Sequence, residues 1–592
     1  MALASQKGVN QNGKSGTSTS GPSRNAIQTP AVAWYHQLPH VSPPIIRPST
    51  GQYYTDSFKI QDLIGAIQHG YPVTEIDKLL AYYQQNDEKL LKTKLNEKVN
   101  GFPAMFYVVE TNNIELIRCW VKYGGDLKAT HGKDQFPLLA FAALRDADTQ
   151  MKAAKTLQTL LCLGASPQVI PRAYYTPYDR DLPSSGPPDN ELYDIRDNNK
   201  LWCSPQIRPL LATALNLTQR YRLWQASSVD PNSGREQELV SRKGAHGVLR
   251  LHLTVIGQKI AARSITQELL VHLARPTRAP LVLLFAGPSG HGKTEIARRL
   301  GEIMSLELET VDCTNFQRED ELFGPKPPYH GHQLGSPLNN FLSRNTGKRC
   351  IVFMDEFDRT DVVIHNALLI PFDQGEYADR RNATKINCRN TIWVLATNKF
   401  DNTIHEFCKA HKEILTNSDR EREQSMLMER LSKTLLKEST GHFGAPLTGR
   451  ISRIIPFLTF NSGEQAIVAH RGIMELEEEV AGPVVLSANP EEDKLVGNVW
   501  NKMSSQFTVC SKIAQRYYEP QLGARCIFRG VQETIIKSLV GQYLKDGEYF
   551  SETQPDTWFK VGVNHHEDDV RVWITPKDDR GATALGKRRR IE

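Results

Sequence analysis

The stretch Leu281-Val-Leu-Leu-Phe-Ala286, running directly into Gly287-Pro288-Ser289-Gly290-His291-Gly292-Lys293-Thr294, decides how the rest of the chain is read. Six apolar residues in succession are the pattern of a strand buried on both faces. The glycine-rich octet that follows, leading into a helical segment from Glu295 to Met304, is the P-loop pattern in its strand–loop–helix setting. Its physics is specific. Glycines let backbone N–H groups curl around phosphates, and the helix amino end adds its positive dipole. Lys293 would reach the terminal phosphates and Thr294 would offer a hydroxyl to Mg²⁺. The eight residues from Gly287 to Thr294 are therefore the candidate phosphate cradle.

Two further apolar runs support this reading. Cys350-Ile-Val-Phe-Met354 ends in Asp355-Glu356, 62 residues after Lys293. A carboxylate ending a buried strand beside a P-loop can hold the Mg²⁺ shell, which is the expectation for Asp355. Its neighbour Glu356 can polarise a water for attack on the γ-phosphate. Thr391-Ile-Trp-Val-Leu-Ala396 finishes in Thr397-Asn398, where the Asn398 amide would orient that water. Together these residues predict a site for ATP and Mg²⁺ that hydrolyses the nucleotide.

Outward from this core, 592 residues allow two to four domains. The net charge of +6 is small for that length and gives no reason to expect nucleic acid as a partner. No apolar stretch approaches the roughly eighteen residues that cross a bilayer, so no membrane partner is expected. The nine cysteines make no Cys-x-x-Cys pair, and neither a disulfide framework nor a zinc site is indicated. Residues 1–55 are acid-poor and rich in Ser, Thr, Gly and Pro, which predicts a disordered arm. The end, 576–592, is a polar, basic tail. Its Lys587-Arg-Arg-Arg590 reads either as a solvated tail or as a nuclear import signal. The expected location is cytoplasmic or nuclear, with mitochondrial as the alternative.

Between 56 and 170 two stretches resemble each other. The pairs Phe102-Pro103 and Phe136-Pro137 lie 34 residues apart, and the glycines Gly124 and Gly164 lie 40 apart. This is similar to the ankyrin repeat, whose period is about 33, and predicts an all-α, protein-binding region. Residues 171–248 read as a linker, rich in Pro, Asp, Asn and Ser over 171–200, followed by a helical connector from Pro209 to Trp224.

From about Leu249 to Ile574 the chain resembles AAA+ proteins, specifically the Clp-type (ClpB-like) disaggregases and unfoldases. Val255-Ile256-Gly-Gln258 is similar to the family's opening segment beside the adenine. Asp355 and Glu356 match its Walker B pair and Asn398 its sensor 1. Phe443-Gly-Ala-Pro-Leu-Thr-Gly-Arg450-Ile451 resembles the segment that carries the arginine finger, which assigns that role to Arg450. Tyr518-Glu-Pro-Gln-Leu-Gly-Ala-Arg525 resembles sensor 2 and implies that Arg525 contacts the phosphates. Pro328-Tyr329-His330-Gly331 stands where the family has its pore loop. The aromatic is retained while its flanks differ, so the resemblance puts Tyr329 on a threaded substrate.

The expected fold is an α/β P-loop AAA+ module over 249–460, a parallel sheet flanked by helices. A small α+β domain over 461–575 should follow, with a helix capped by Ser462 and Gln465 and a hairpin from Phe559–Val563 and Val570–Ile574. The resemblance implies a homo-oligomer, a hexamer, acting on unfolded or aggregated polypeptides, with a further protein partner on the ankyrin-like region. A single P-loop and the lack of a peptidase-docking tripeptide favour a self-sufficient remodeller over a protease subunit. The alternative is a regulatory or scaffolding NTPase whose nucleotide state switches partner binding.

Overall fold

The computed structural model describes residues 35, 37–42, 59–145, 149–229, 232–276, 278–314, 316, 318–417, 420–503, 505–545, 549–564 and 569–576. The basic tail and most of the expected disordered arm lie outside these residues. One part of that arm is packed: Leu38 and Val41 are buried. Their amides donate to Glu110 Oε1 (2.9 Å) and Gln68 Oε1 (2.8 Å).

The central sheet consists of β1 (Leu281–Ala286), β2 (Leu308–Asp312), β3 (Cys350–Asp355), β4 (Thr391–Thr397) and β5 (Arg453–Pro456). All pairings are parallel and the spatial order is β5-β1-β4-β3-β2. Side chains alternate across a strand, so a sheet covered on both faces needs apolar residues at every position. Leu281, Leu283, Phe285, Ile351, Phe353, Ile392 and Val394 pack one face. Val282, Leu284, Val352, Met354, Trp393 and Leu395 pack the other. The register sets Ala286 beside Thr397, and Asp312 beside Asp355, so the carboxyl ends of the strands open at one rim. In open parallel sheets that rim is where ligands bind.

After the sheet comes the helix Ser462–Val480. Its cap is Asn461 with Glu464, one residue before the expected Ser462–Gln465 pair: Asn461 holds the extended backbone a cap requires, and Ser462 is already helical. The hairpin Thr557–Asn564 with Asp569–Pro576 contains both alternating runs and pairs Phe559 with Ile574. A third strand, Val499–Met503, joins it in parallel and left no period-2 signal strong enough to read.

The N-terminal region, for which the sequence predicts helices alone, also contains short strands. Twice, a pair of two-residue strands precedes two helices: Lys98–Val99 with Phe102–Pro103 before Ala104–Glu110 and Ile114–Lys122, then Thr130–His131 with Phe136–Pro137 before Leu138–Leu144 and Gln150–Leu163. Pro103 and Pro137 each cap the first helix of a unit, and Gly164 ends the second in the left-handed region.

The stretch 171–200 differs from the linker its polarity predicts. Tyr174, Tyr175 and Tyr178 are buried, and Asp181 accepts from the amides of Phe507 (2.8 Å) and Thr508 (3.2 Å). The polar residues turn the chain while the tyrosines carry the burial. The helix expected over Pro209–Trp224 is broken into Ile207–Ala214 and Leu217–Ser227, because Asn216 starts a new helix through a reciprocal capping box with Gln219. Among the described residues no helix is long and apolar enough to cross a membrane.

Candidate active site

A cavity of about 370 Å³ opens at the carboxyl rim of the sheet. The parallel register brings three of its sides together without further help: Gly287 N donates to Thr397 O (3.2 Å), tying the P-loop to the end of β4. Ser289, Gly290, Gly292, Lys293 and Thr294 line the cavity from the P-loop, Asp355 and Glu356 from β3, and Asn398 from β4. Val255, Ile256 and Arg525 complete the set of sequence-derived residues found there.

Lys293 begins the helix Lys293–Met304 and is buried. Its ammonium donates to Gly287 O, to Pro288 O (3.0 Å) and to Asn398 Oδ1 (2.6 Å). Gly287 and Pro288 thus hold the lysine through their carbonyls and do not themselves line the cavity. Burial pulls the Lys293 pKa down to about 8, against the opposing pull of Asp401, Asp355, Glu356 and Asp358. Burial also pushes Asp401 up to about 6, with Lys293 acting against the rise.

The Asn398 amide bridges the site. Its oxygen accepts from Lys293, and its nitrogen lies 3.3 Å from both oxygens of Glu356. Its backbone N donates to Asp358 Oδ1 (3.1 Å). Glu356 sits at φ 52°, ψ 39°, a left-handed conformation uncommon for a residue with a side chain. Such backbone strain clusters at functional positions, and here it aims the carboxylate at the cavity. Thr294 Oγ1 donates to Asp355 Oδ2 at 3.2 Å. A hydroxyl and a carboxylate side by side are hard oxygen donors, the kind Mg²⁺ takes, so this pair fits the metal that the P-loop pattern implies.

His291 points away from the cavity. Its ring is fully buried, stacks on Phe460 at 4.7 Å, and burial drives its pKa down to about 4, leaving it neutral near pH 7. Nδ1 lies 2.9 Å from Ser289 O, which can only accept, so Nδ1 carries the proton. Nε2 therefore accepts from the Tyr518 hydroxyl at 3.1 Å, whose oxygen accepts from Phe460 N at 3.2 Å. Next to this joint Ala524 N donates to Gly290 O (3.0 Å). A Cβ on Gly290 would stand 2.3 Å from Leu522 O, so only glycine permits the approach. His291 thus joins the P-loop to the 518–525 segment, which places Arg525 on the cavity wall.

Arg450 and Tyr329 stand apart from this cavity. Arg450 donates to Pro446 O (2.7 Å) and lies 3.6 Å from Asp373. Tyr329 is 70% exposed on the loop before the short turn His332–Leu334. Sequence reasoning missed Val468 and Arg471 on the helix Ser462–Val480, and Phe528, all of which line the cavity. No motif marks them; only their shared helical face, three residues apart for Val468 and Arg471, hints at a common target.

Residues 278–452 match the AAA domain family (Cdc48 subfamily). Among curated proteins, the chaperone protein ClpB of Chlamydia caviae is 26% identical over 308 residues, 50% of this chain and 32% of the relative. The ATP-dependent Clp protease ATP-binding subunit ClpC of Staphylococcus saprophyticus is 25% identical over 338 residues, 56% of this chain and 37% of the relative. That of Staphylococcus aureus is 28% identical over 306 residues, 50% of this chain and 34% of the relative. The chain spans about a third of the length of these relatives. Taken with the geometry of the cavity, these matches make the chain an ATPase whose nucleotide module is similar to those of ClpB and ClpC.

Proposed function

We propose that the chain is an ATP-driven protein-remodelling machine that threads unfolded or aggregated polypeptides through a homo-oligomeric ring, a hexamer. In this reading ATP lies in the cavity with its phosphates on the P-loop. Lys293 exchanges its carbonyl partners for the β- and γ-phosphates, and Arg525 approaches them from the opposite wall. Thr294 and Asp355 would hold Mg²⁺, which when bound neutralises phosphate charge. Glu356 takes a proton from the water that Asn398 orients, the water oxygen bonds to the γ-phosphorus, and ADP leaves. Val255 and Ile256 face the base. Arg450, which does not line its own cavity, serves a neighbouring subunit's site in this reading. The ankyrin-like region offers a surface to a further protein.

The observation that carries the mechanical half is Tyr329. Tyr329 is 70% exposed and does not line the nucleotide cavity. It is a large, sequence-tolerant apolar contact for a passing chain. Tyr329→Ala should therefore keep melting temperature and ATP turnover while abolishing recovery of a heat-aggregated reporter enzyme. Normal recovery by this variant rules out threading. The second reading, a regulatory NTPase, is favoured by the packing of the N-terminal half on the nucleotide module, where Gln158 donates to Leu253 O (2.7 Å). It predicts no client recovery even from the unmutated chain.

A further inference from the structure

Val255 and Ile256 line the cavity, and Ile256 packs in the same apolar cluster as Val468 and Phe528. They lie neither on a strand nor within a helix, but between the turn His246–Leu253 and the helix Lys259–Ala274. Gly257 and Gln258 follow at φ +68° and +42°, two left-handed residues in succession. A segment of this kind has no ladder of its own, and its backbone groups must be satisfied by something else.

That something is the helix Leu217–Ser227, which precedes the segment 278–452 that matches the AAA family. Gly257 N donates to the Tyr221 hydroxyl at 2.8 Å. Val255 O accepts from Arg222 Nη1 at 2.6 Å and from Gln225 Nε2 at 3.3 Å. Gln225 Nε2 also reaches His252 O (3.2 Å), and Arg222 Nη1 reaches Gln225 Oε1 (2.7 Å). All three side chains are buried. A buried guanidinium that spends its charge on carbonyl and amide oxygens, with no paired carboxylate among the described residues, is costly for stability alone. The same helix also touches the helix that carries Val468 and Arg471: Thr218 Oγ1 lies 2.8 Å from His470 Nδ1.

We propose that Tyr221, Arg222 and Gln225 are positioning residues for the nucleotide base, so that base recognition is set by a helix outside the AAA-matching segment. The proposal rests on the reading that Val255 and Ile256 face the base. It implies that the base's contribution to nucleotide affinity depends on this connector.

The test uses the full chain with two probes, ATP and inorganic tripolyphosphate, each titrated by calorimetry, together with turnover at saturating ATP. Arg222→Met keeps the length of the side chain and removes the donor. Its affinity for ATP should fall about ten-fold, with tripolyphosphate affinity and kcat within about two-fold. Arg222→Lys should restore part of the loss. Tyr221→Phe, which keeps the ring in the core, should show a smaller loss of about three-fold, again for ATP only. Parallel loss of both probes, or unchanged ATP affinity in the folded Tyr221→Phe chain, overturns the proposal. Equal affinity of the unmutated chain for both probes overturns the base-facing reading itself, and the proposal with it.

Discussion

At the phosphate end of the cavity, Asp355 ends β3, Asn398 follows β4 and Lys293 opens the helix that the P-loop joins to β1, and the parallel register sets these three strand ends at one rim. At the end proposed for the base, Val255, Val468 and Phe528 come from three separate stretches. They are brought together by side-chain bonds such as Arg222 to Val255 O and Thr218 to His470. The first wall is dense in charge and follows from strand pairing. The second is largely apolar and follows from long-range contacts. A single site can thus be half dictated by local pattern and half by tertiary packing, and the two halves should respond separately to perturbation.

Lys293→Ala should separate them most strongly. Removing the buried cation leaves Asp355, Glu356 and Asp401 facing the phosphates uncompensated. ATP affinity should fall on the order of 10²-fold or more, while adenosine, which touches only the base wall, keeps its affinity. Competition titrations with both ligands check this; parallel losses would mean the walls are not separable. A smaller effect concerns protons. Lys293 titrates near pH 8 in the free protein, where it is about half deprotonated. Bound polyphosphate favours the charged form, so ATP binding at pH 8 should take up about half a proton, falling to about a tenth at pH 7. Affinity should accordingly weaken as pH rises through 8. Adenosine should take up none. Calorimetry in two buffers of different ionisation enthalpy reads the difference directly.

The division also tracks what could be read from the chain before its structure. β1, β3 and β4 are legible because a strand buried on both faces must be apolar throughout, and each runs into residues whose chemistry is recognisable. The hairpin was legible for the same kind of reason, since Phe559 and Val561 alternate inward. The cap of the helix Ser462–Val480 was displaced by one residue because Asn461 and Ser462 are both competent caps and only backbone geometry chooses between them. Residues 171–200 were misread because turn-forming residues hide three buried tyrosines. The roles of Tyr221, Arg222, Gln225 and the His291–Tyr518 joint left no trace, since a hydrogen bond between residues 36 or 227 positions apart has no period.

In the proposed reaction the phosphate wall hydrolyses ATP with Glu356 as the base, held by Asn398. Replacing Glu356 by Gln keeps an oxygen for the Asn398 amide but removes the basicity. On one preparation of Glu356→Gln, ATP affinity should stay within about two-fold of the unmutated chain. Phosphate release should drop on the order of 10²–10⁴-fold. Undiminished phosphate release by a variant that binds ATP normally would contradict the account.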